Sequence, residues 1–323
     1  MMDIFFYEAF AEEADALRQH MSSSIDAEYT WKTIQEYGAD EPPAAVISIR
    51  TQSTLPTQWA TQLRAVLSRS TGYDHLLDYR NGIDRDLALG YLPFYCHRAV
   101  AEQAMLFWMA LLRKLDLQVR NFAKFHRDGL TGHEAQGKTL LVVGVGNIGS
   151  EVYRIGRGLG MNVLGVDIVQ DKTDVHYVSL AQGLRQADII VAAMNLTRTN
   201  RGYFGYEVLR NAKRGTVFVN ISRGEFSSAS DLLKLLREGH LGGVALDVYN
   251  QEPELARALR SGSQATAPER HAILALAEME NVILTPHNAF NTEEAVQRKA
   301  EHSARQVAHF LTEGRFLWPV PTE

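Results

Sequence analysis

TLLVVGVGNIGS, residues 139–150, runs from an unbroken apolar stretch into three glycines in G-x-G-x-x-G spacing. The stretch shows no polar alternation, as a parallel strand covered on both faces requires. The segment NIGSEVYRIGRGLG, which continues from it, has helical periodicity. At such a strand-to-helix turn each glycine has its own duty. Gly144 makes the tight turn, Gly146 lets phosphates approach the backbone, and Gly149 packs helix against strand. The helix N-terminus adds unpaired N–H groups and the positive end of its dipole, with Asn147 and Ile148 in its first turn. This stretch predicts an α/β fold that binds a dinucleotide.

Similar apolar runs recur on the C-terminal side: MNVLGVDI (161–168), ADIIVAAM (187–194), GTVFVNIS (215–222), GGVALDVY (242–249) and NVILTP (281–286). Helical patterns separate them. In SASDLLKLLREGH, Ser228 and Asp231 have capping-box spacing and Gly239 ends the helix. Strand and helix alternating in this way give a doubly wound parallel sheet. The first hundred residues form a smaller unit of the same kind, with strands at 3–9, 44–50 and 65–70. HRAVAEQAMLFWMALLRKL (97–115) is apolar nearly all round, which predicts a deeply buried helix. NTEEAVQRKAEHSARQVAHFLTEG (291–314) reads as an amphipathic helix. Asn291 and Glu294 are its capping pair, Val296, Ala300, Ala304, Val307 and Leu311 its stripe, and Gly314 its end. Residues 251–281 form a long connection whose centre, SGSQATAPE (261–269), is expected to be a surface loop.

At 323 residues the chain exceeds the usual size of one core, so two domains are expected. A net charge of −5 gives no electrostatic case for nucleic acid or an anionic membrane surface. The longest apolar run, 104–112, is far short of the ~20 residues a bilayer requires. The N-terminus turns acidic at once, unlike a signal peptide, and the lone Cys96 suits a reducing cytoplasm.

Chemistry-bearing residues stand at the strand ends, on the rim where open α/β sheets bind ligands. Asp167, at the end of its strand, would accept hydrogen bonds from ribose hydroxyls and repel a 2′-phosphate, which favours NAD over NADP. Arg223, Asp247 with Glu252 nearby, and His287 come after three later strands. Taken singly, each reads as a surface ion-pair member or a solvent-facing histidine. As an ordered set behind a dinucleotide motif, they read as catalytic. The histidines lack metal-ligand spacing, so no metal is proposed.

GVGNIG, NISRGE, ALDVYNQEP and ILTPHNAF, in this order, resemble the NAD-dependent D-isomer-specific 2-hydroxyacid dehydrogenases, most of all bacterial D-lactate dehydrogenases. STGYDHL (70–76) and YCHRAVAEQA (95–104) extend the resemblance into the first hundred residues. It implies a Rossmann NAD domain, 100–287, and a discontinuous flavodoxin-like substrate domain, 1–99 with 288–323, around a cleft that closes on substrate. By the same likeness Arg223 would hold the 2-oxo acid carboxylate and polarise its carbonyl. His287 would donate the proton as hydride arrives from NADH, and Glu252 would orient the imidazole. Thr71 and Gly72 would bind the substrate carboxylate through backbone N–H groups, with Tyr95 and Phe290 shaping the pocket. Asn147, Ile148, Met194, Asn195, Asn200, Ile221, Ser222 and Asp247 would line the cofactor cleft. A homodimer is implied as well. Asn195 stands where many relatives have proline, Asn288 where an apolar residue or threonine is common. Arg50 is a second cation near the substrate loop. An NAD(H)-sensing protein like the C-terminal-binding-protein corepressors, or a glyoxylate/hydroxypyruvate reductase, remain the alternatives.

Overall fold

A computed structural model describes residues 2–262 and 268–322. The chain forms two compact units, Met1–Cys96 with Asn291–Glu323, and His97–Phe290. The changeovers thus lie about three residues from the expected 99/100 and 287/288.

The first unit begins β1 (Ile4–Phe6), α1 (Ala11–His20), β2 (Ala27–Tyr29), α2 (Ile34–Tyr37) and β3 (Val46–Ile49). It continues β4 (Ala65–Ser68), α3 (Asp74–Asn81) and β5 (Ala88–Gly90). Its five strands pair in the order β2-β1-β3-β4-β5, every pair parallel. β2 and β5 are three-residue strands without an apolar run, so sequence pattern does not mark them. The strand order reverses between β1 and β3. There Glu8, at φ +55, accepts the backbone N–H groups of Arg50 (2.9 Å), Gln52 (3.0 Å) and Ser53 (3.2 Å). The carboxylate thereby satisfies the loop after β3 from within the unit.

The second unit runs α4 (His97–Leu112), α5 (Leu115–Asn121), β6 (Thr139–Val143), α6 (Asn147–Gly158), β7 (Asn162–Val166) and α7 (Leu180–Gln186). Then come β8 (Ile189–Ala192), α8 (Tyr206–Leu209), β9 (Thr216–Asn220), α9 (Ala229–Arg237) and β10 (Leu241–Leu246). It closes with α10 (Glu252–Ser261), α11 (Pro268–Ala277) and β11 (Val282–Leu284). The sheet order is β11-β10-β9-β8-β6-β7, again all parallel, and the direction of progression reverses between β6 and β8. The apolar strands are packed on both faces, with Leu141, Ile190, Phe218 and Val244 in one core with Leu232 and Leu235 of α9. The two-sheet α/β architecture expected from the strand spacing is the one observed. The last helix, α12 (Glu293–Glu313), returns to the first unit. No helix among the described residues is long and apolar enough to cross a membrane.

Three local expectations need correction. α4 is not buried all round: Ala104, Phe107 and Trp108 are buried, but Leu106 is 51% exposed, and Lys114 at φ +51 breaks the helix. The cap of α12 is Thr292, whose hydroxyl accepts the Ala295 N–H, rather than Asn291, so the capping position lies one residue later. Ser228 does cap α9 through Asp231 N–H, but the Asp231 carboxylate accepts the Tyr206 N–H of α8 at 3.1 Å. The long connection before β11 holds α10 and α11. The loop expected at 261–269 falls on residues 263–267, which lie outside the described residues.

Candidate active site

The glycines of the β6–α6 turn are each required for a different physical reason. Gly144 has φ +91, and a Cβ there would sit 2.7 Å from the backbone of Ala193 and Met194 after β8. A Cβ on Gly149 would lie 1.8 Å from the Gly144 carbonyl oxygen. Gly146 differs: nothing lies within 4 Å of its Cβ position, and the residue is exposed. Two glycines thus permit close protein packing, and the third leaves an open approach to the backbone. Gly146 is also the N-cap of α6 and no side chain caps the helix, so its first N–H groups are available to an anion. Asn147 is exposed there and Ile148 half-buried. This cradle fits the pyrophosphate of a dinucleotide.

Asp167, just past β7, accepts the Val145 N–H at 2.6 Å and the Val169 N–H at 3.0 Å. Its carboxylate is therefore fixed at the turn while half-exposed, with Ile168 fully exposed beside it. Across the turn, Asn200 ties the 195–200 loop: its Oδ1 accepts the Thr197 N–H at 2.8 Å, and its Nδ2 donates to the Asn195 carbonyl at 2.9 Å. Asn200 thus shapes the loop, while the Asn195 side chain is exposed and Met194 half-buried.

Arg223 is presented by a turn that sequence pattern alone does not explain. Asn220, fully buried at the end of β9, accepts from the Ser222 N–H and hydroxyl, both at 3.1 Å, and donates to the Arg223 carbonyl at 2.8 Å. Arg223 itself donates to the Ser222 carbonyl at 2.9 Å. The next residue, Gly224, comes so close to the 249–250 backbone that a Cβ would lie 1.8 Å from the Tyr249 carbonyl carbon. Ile221 is buried and Ser222 half-buried in this turn.

His287 lies past β11 at φ +52, in the left-handed region that histidine adopts more readily than most residues. Its N–H donates to the Thr285 carbonyl across Pro286 at 2.9 Å. Its Nδ1 lies 2.7 Å from Glu252 Oε1, with the two side chains 18% and 13% exposed. The carboxylate of Asp247 is buried and engaged by the histidine's loop. It accepts the Thr285 hydroxyl (2.5 Å) and the Asn288 N–H (2.8 Å) on Oδ1, and the Ala289 N–H (2.9 Å) on Oδ2. Burial raises its pKa above the usual carboxylate value, against the pull of His287 and these donors. Tyr249, whose hydroxyl donates to the Thr285 carbonyl at 2.7 Å, braces the same loop. Its phenol is held neutral by burial and by the Asp247 and Glu252 carboxylates. Asn288 exposes its side chain, and Phe290 is buried.

Against known proteins, the profile of the D-isomer specific 2-hydroxyacid dehydrogenase NAD binding domain matches residues 103–289, more than half of the chain. The chain belongs to the D-isomer specific 2-hydroxyacid dehydrogenase family. It is accordingly an NAD-dependent oxidoreductase of 2-hydroxy acids. It is 31% identical to a glyoxylate reductase of Korarchaeum cryptofilum, over 78% of this chain and 74% of that one. It is 32% identical to the D-lactate dehydrogenase kk1H of Curvularia clavata, over 84% and 78%. Its fold matches the crystal structure of D-lactate dehydrogenase from Aquifex aeolicus complexed with NAD and lactic acid, with a TM-score of 0.84 and 25% identity, covering 99% of this chain and all of that one.

In the first unit, Thr71 and Gly72 are half-buried. The Ser70 hydroxyl donates to the Gly72 carbonyl at 2.6 Å, and the Thr71 hydroxyl lies 3.4 Å from the buried Cys96 Sγ. Tyr95 is buried, and its hydroxyl donates to the Arg69 carbonyl at 3.5 Å.

Proposed function

We propose that this dehydrogenase reduces a small, pyruvate-like 2-oxo acid to the D-2-hydroxy acid. His287 is the proton donor, Glu252 its orienting partner, and Arg223 the group that binds the substrate carboxylate and polarises the carbonyl. The carrying observation is the 2.7 Å His287 Nδ1–Glu252 contact. With Nδ1 held by a carboxylate, the charged ring gives up its proton from Nε2 and the neutral ring keeps Nδ1–H. Bound NADH supplies the hydride. In this reading the Gly144–Gly149 turn and α6 hold its pyrophosphate, and Asp167 accepts from the adenosine ribose. Ile148, Met194, Asn195, Ile221 and Ser222 border the cofactor. Thr71 and Gly72 donate backbone N–H groups to the substrate carboxylate, and Tyr95 and Phe290 limit substrate size. The similarity to proteins named D-lactate dehydrogenases supports pyruvate as the oxo acid.

A homodimer in a reducing cytoplasm completes this reading. Leu106, Leu115, Val119, Phe122 and Phe125, between 46% and 75% exposed, give one stretch of the second unit an apolar surface of the sort subunits cover. The test is NADH oxidation with pyruvate, hydroxypyruvate, phenylpyruvate, oxaloacetate and glyoxylate, with chiral assignment of the product. Turnover of pyruvate to D-lactate is expected. Measurable NADH binding without turnover of any of these acids would sink the assignment and favour the sensor alternative. A decisive preference for glyoxylate would replace pyruvate.

A further inference from the structure

Three charged side chains without solvent exposure meet in the first unit: Glu13 of α1, Arg69 just past β4, and Lys299 of α12. Glu13 Oε1 accepts from Arg69 Nε at 2.8 Å and forms an ion pair with Lys299 Nζ at 2.6 Å. Arg69 is further fixed by donating to the Ser48 hydroxyl (2.9 Å) and the Tyr7 carbonyl (2.7 Å). Arg50, at the end of β3, acts electrostatically on both Glu13 and Lys299. One carboxylate therefore faces three cations. A buried ion cluster is a poor way to stabilise a core, since apolar residues of similar volume usually serve as well or better.

The cluster adjoins the residues assigned above to the substrate carboxylate. Arg69 leads directly into Ser70, Thr71 and Gly72, and its carbonyl accepts the Tyr95 hydroxyl. The Lys299 ammonium lies 5.8 Å from the centre of the Tyr95 ring. We propose that Lys299 is a positioning residue for substrate. With Arg69, it supplies the positive potential that draws the anionic 2-oxo acid to Thr71, Gly72 and Tyr95, and binding weakens when its ammonium loses a proton. The proposal rests on the substrate assignment made under the proposed function.

Lys299 is the member of the cluster that yields its charge. Burial, with Arg50 and Arg69 adding repulsion, brings its pKa from 10.5 down to about 7 against the attraction of Glu13. Burial alone would raise Glu13, but Arg69, Lys299 and Arg50 together hold it at about 2. Burial raises the Tyr95 phenol and the Cys96 thiol, so both stay neutral. Arginines keep their charge throughout. Substrate binding is then linked to the Lys299 proton, and KM rises as pH climbs through the neutral range.

The test is KM and kcat for pyruvate from pH 5.5 to 9 at saturating NADH, for the wild type, Lys299→Met and Lys299→Arg. At pH 6 the KM of Lys299→Met is expected to be about fivefold above wild type, from one unit charge acting through protein and solvent. The ratio falls towards one by pH 9, with a kcat ratio that does not change with pH. Lys299→Arg, always charged, keeps its low KM at pH 9. A KM ratio constant with pH, or a KM that rises for Lys299→Arg as it does for wild type, would overturn the proposal and leave the substrate assignment standing. A wild type that reduces no 2-oxo acid overturns both.

Discussion

Asp247 accepts hydrogen bonds on both carboxylate oxygens from a loop about forty residues further along the chain, and that loop carries His287 in a left-handed backbone conformation. A non-glycine residue at such a φ persists where its surroundings over-determine it. Asparagine at 247 keeps the volume but offers one accepting oxygen, so an NH₂ would face either the Ala289 N–H or the Thr285 and Asn288 donors. Asp247→Asn is therefore expected to lower kcat by roughly 10²-fold, the scale of an ångström of misplacement, while NADH affinity, read by fluorescence titration, stays near wild type. Wild-type kcat in this variant would show that the loop does not depend on the carboxylate. His287→Ala is expected to lose about 10²–10⁴-fold in kcat with the same retained affinity, and unchanged turnover would remove its assignment as proton donor. The pairing of Glu252 with His287 was legible because residue type, order and strand-end position coincide. The hydrogen-bond partners of Asp247 were not legible, since they come from a segment no periodicity connects to it. Asn220 left a trace that could have been read: a polar residue closing the apolar run TVFVN must find buried partners.

Elements hold these side chains through close backbone approaches, and glycines mark where those occur. Gly224 is the instructive case, because it lies outside the dinucleotide motif yet permits the turn of Arg223 to lie on the turn after Asp247. Gly224→Ala puts a methyl group 1.8 Å from the Tyr249 carbonyl carbon, a clash with backbone that no rotamer can relieve. The variant is expected to lose at least 10²-fold in kcat/KM for the oxo acid, with about 1–3 kcal/mol less stability in urea unfolding. Native kinetics from a folded Gly224→Ala would refute a rigid coupling of the two turns. The parallel strands were legible as elements because burial on both faces leaves apolar runs. Their ends were less so: β10 stops at Leu246, since the polar Asp247 turns to the histidine loop. Helix caps slipped where two capping residues adjoin, as Asn291 and Thr292 do, and only the backbone decides which hydroxyl or amide meets the N–H.

Across the whole chain, the first unit is assembled from its two ends, and the Glu13–Lys299 pair joins α1 to α12 within it. Nothing in the sequence announces this. A lysine and a glutamate on amphipathic helices are ordinarily solvated, and the stripe read for α12 omitted Lys299, Ser303 and Gln306, all fully buried. Their burial has a consequence for stability against acid. Glu13 has its pKa lowered from 4.5 to about 2, so the native state releases its proton more readily than the unfolded chain. Between those values the unfolded state binds more protons, and stability falls as pH falls. The contribution of Glu13 is therefore complete above 4.5 and disappears as pH drops to about 2. Glu13→Gln keeps the shape but leaves Arg69 and Lys299 buried without their carboxylate, a loss of roughly 3–5 kcal/mol at neutral pH. Urea unfolding of both proteins from pH 5 to pH 2 should show that gap closing steadily as pH falls below about 4.5, as protonation makes the wild type resemble the variant. A gap that persists unchanged to pH 2 would mean that Glu13 contributes volume and hydrogen bonding rather than charge, and that the cations beside it are neutralised by other means.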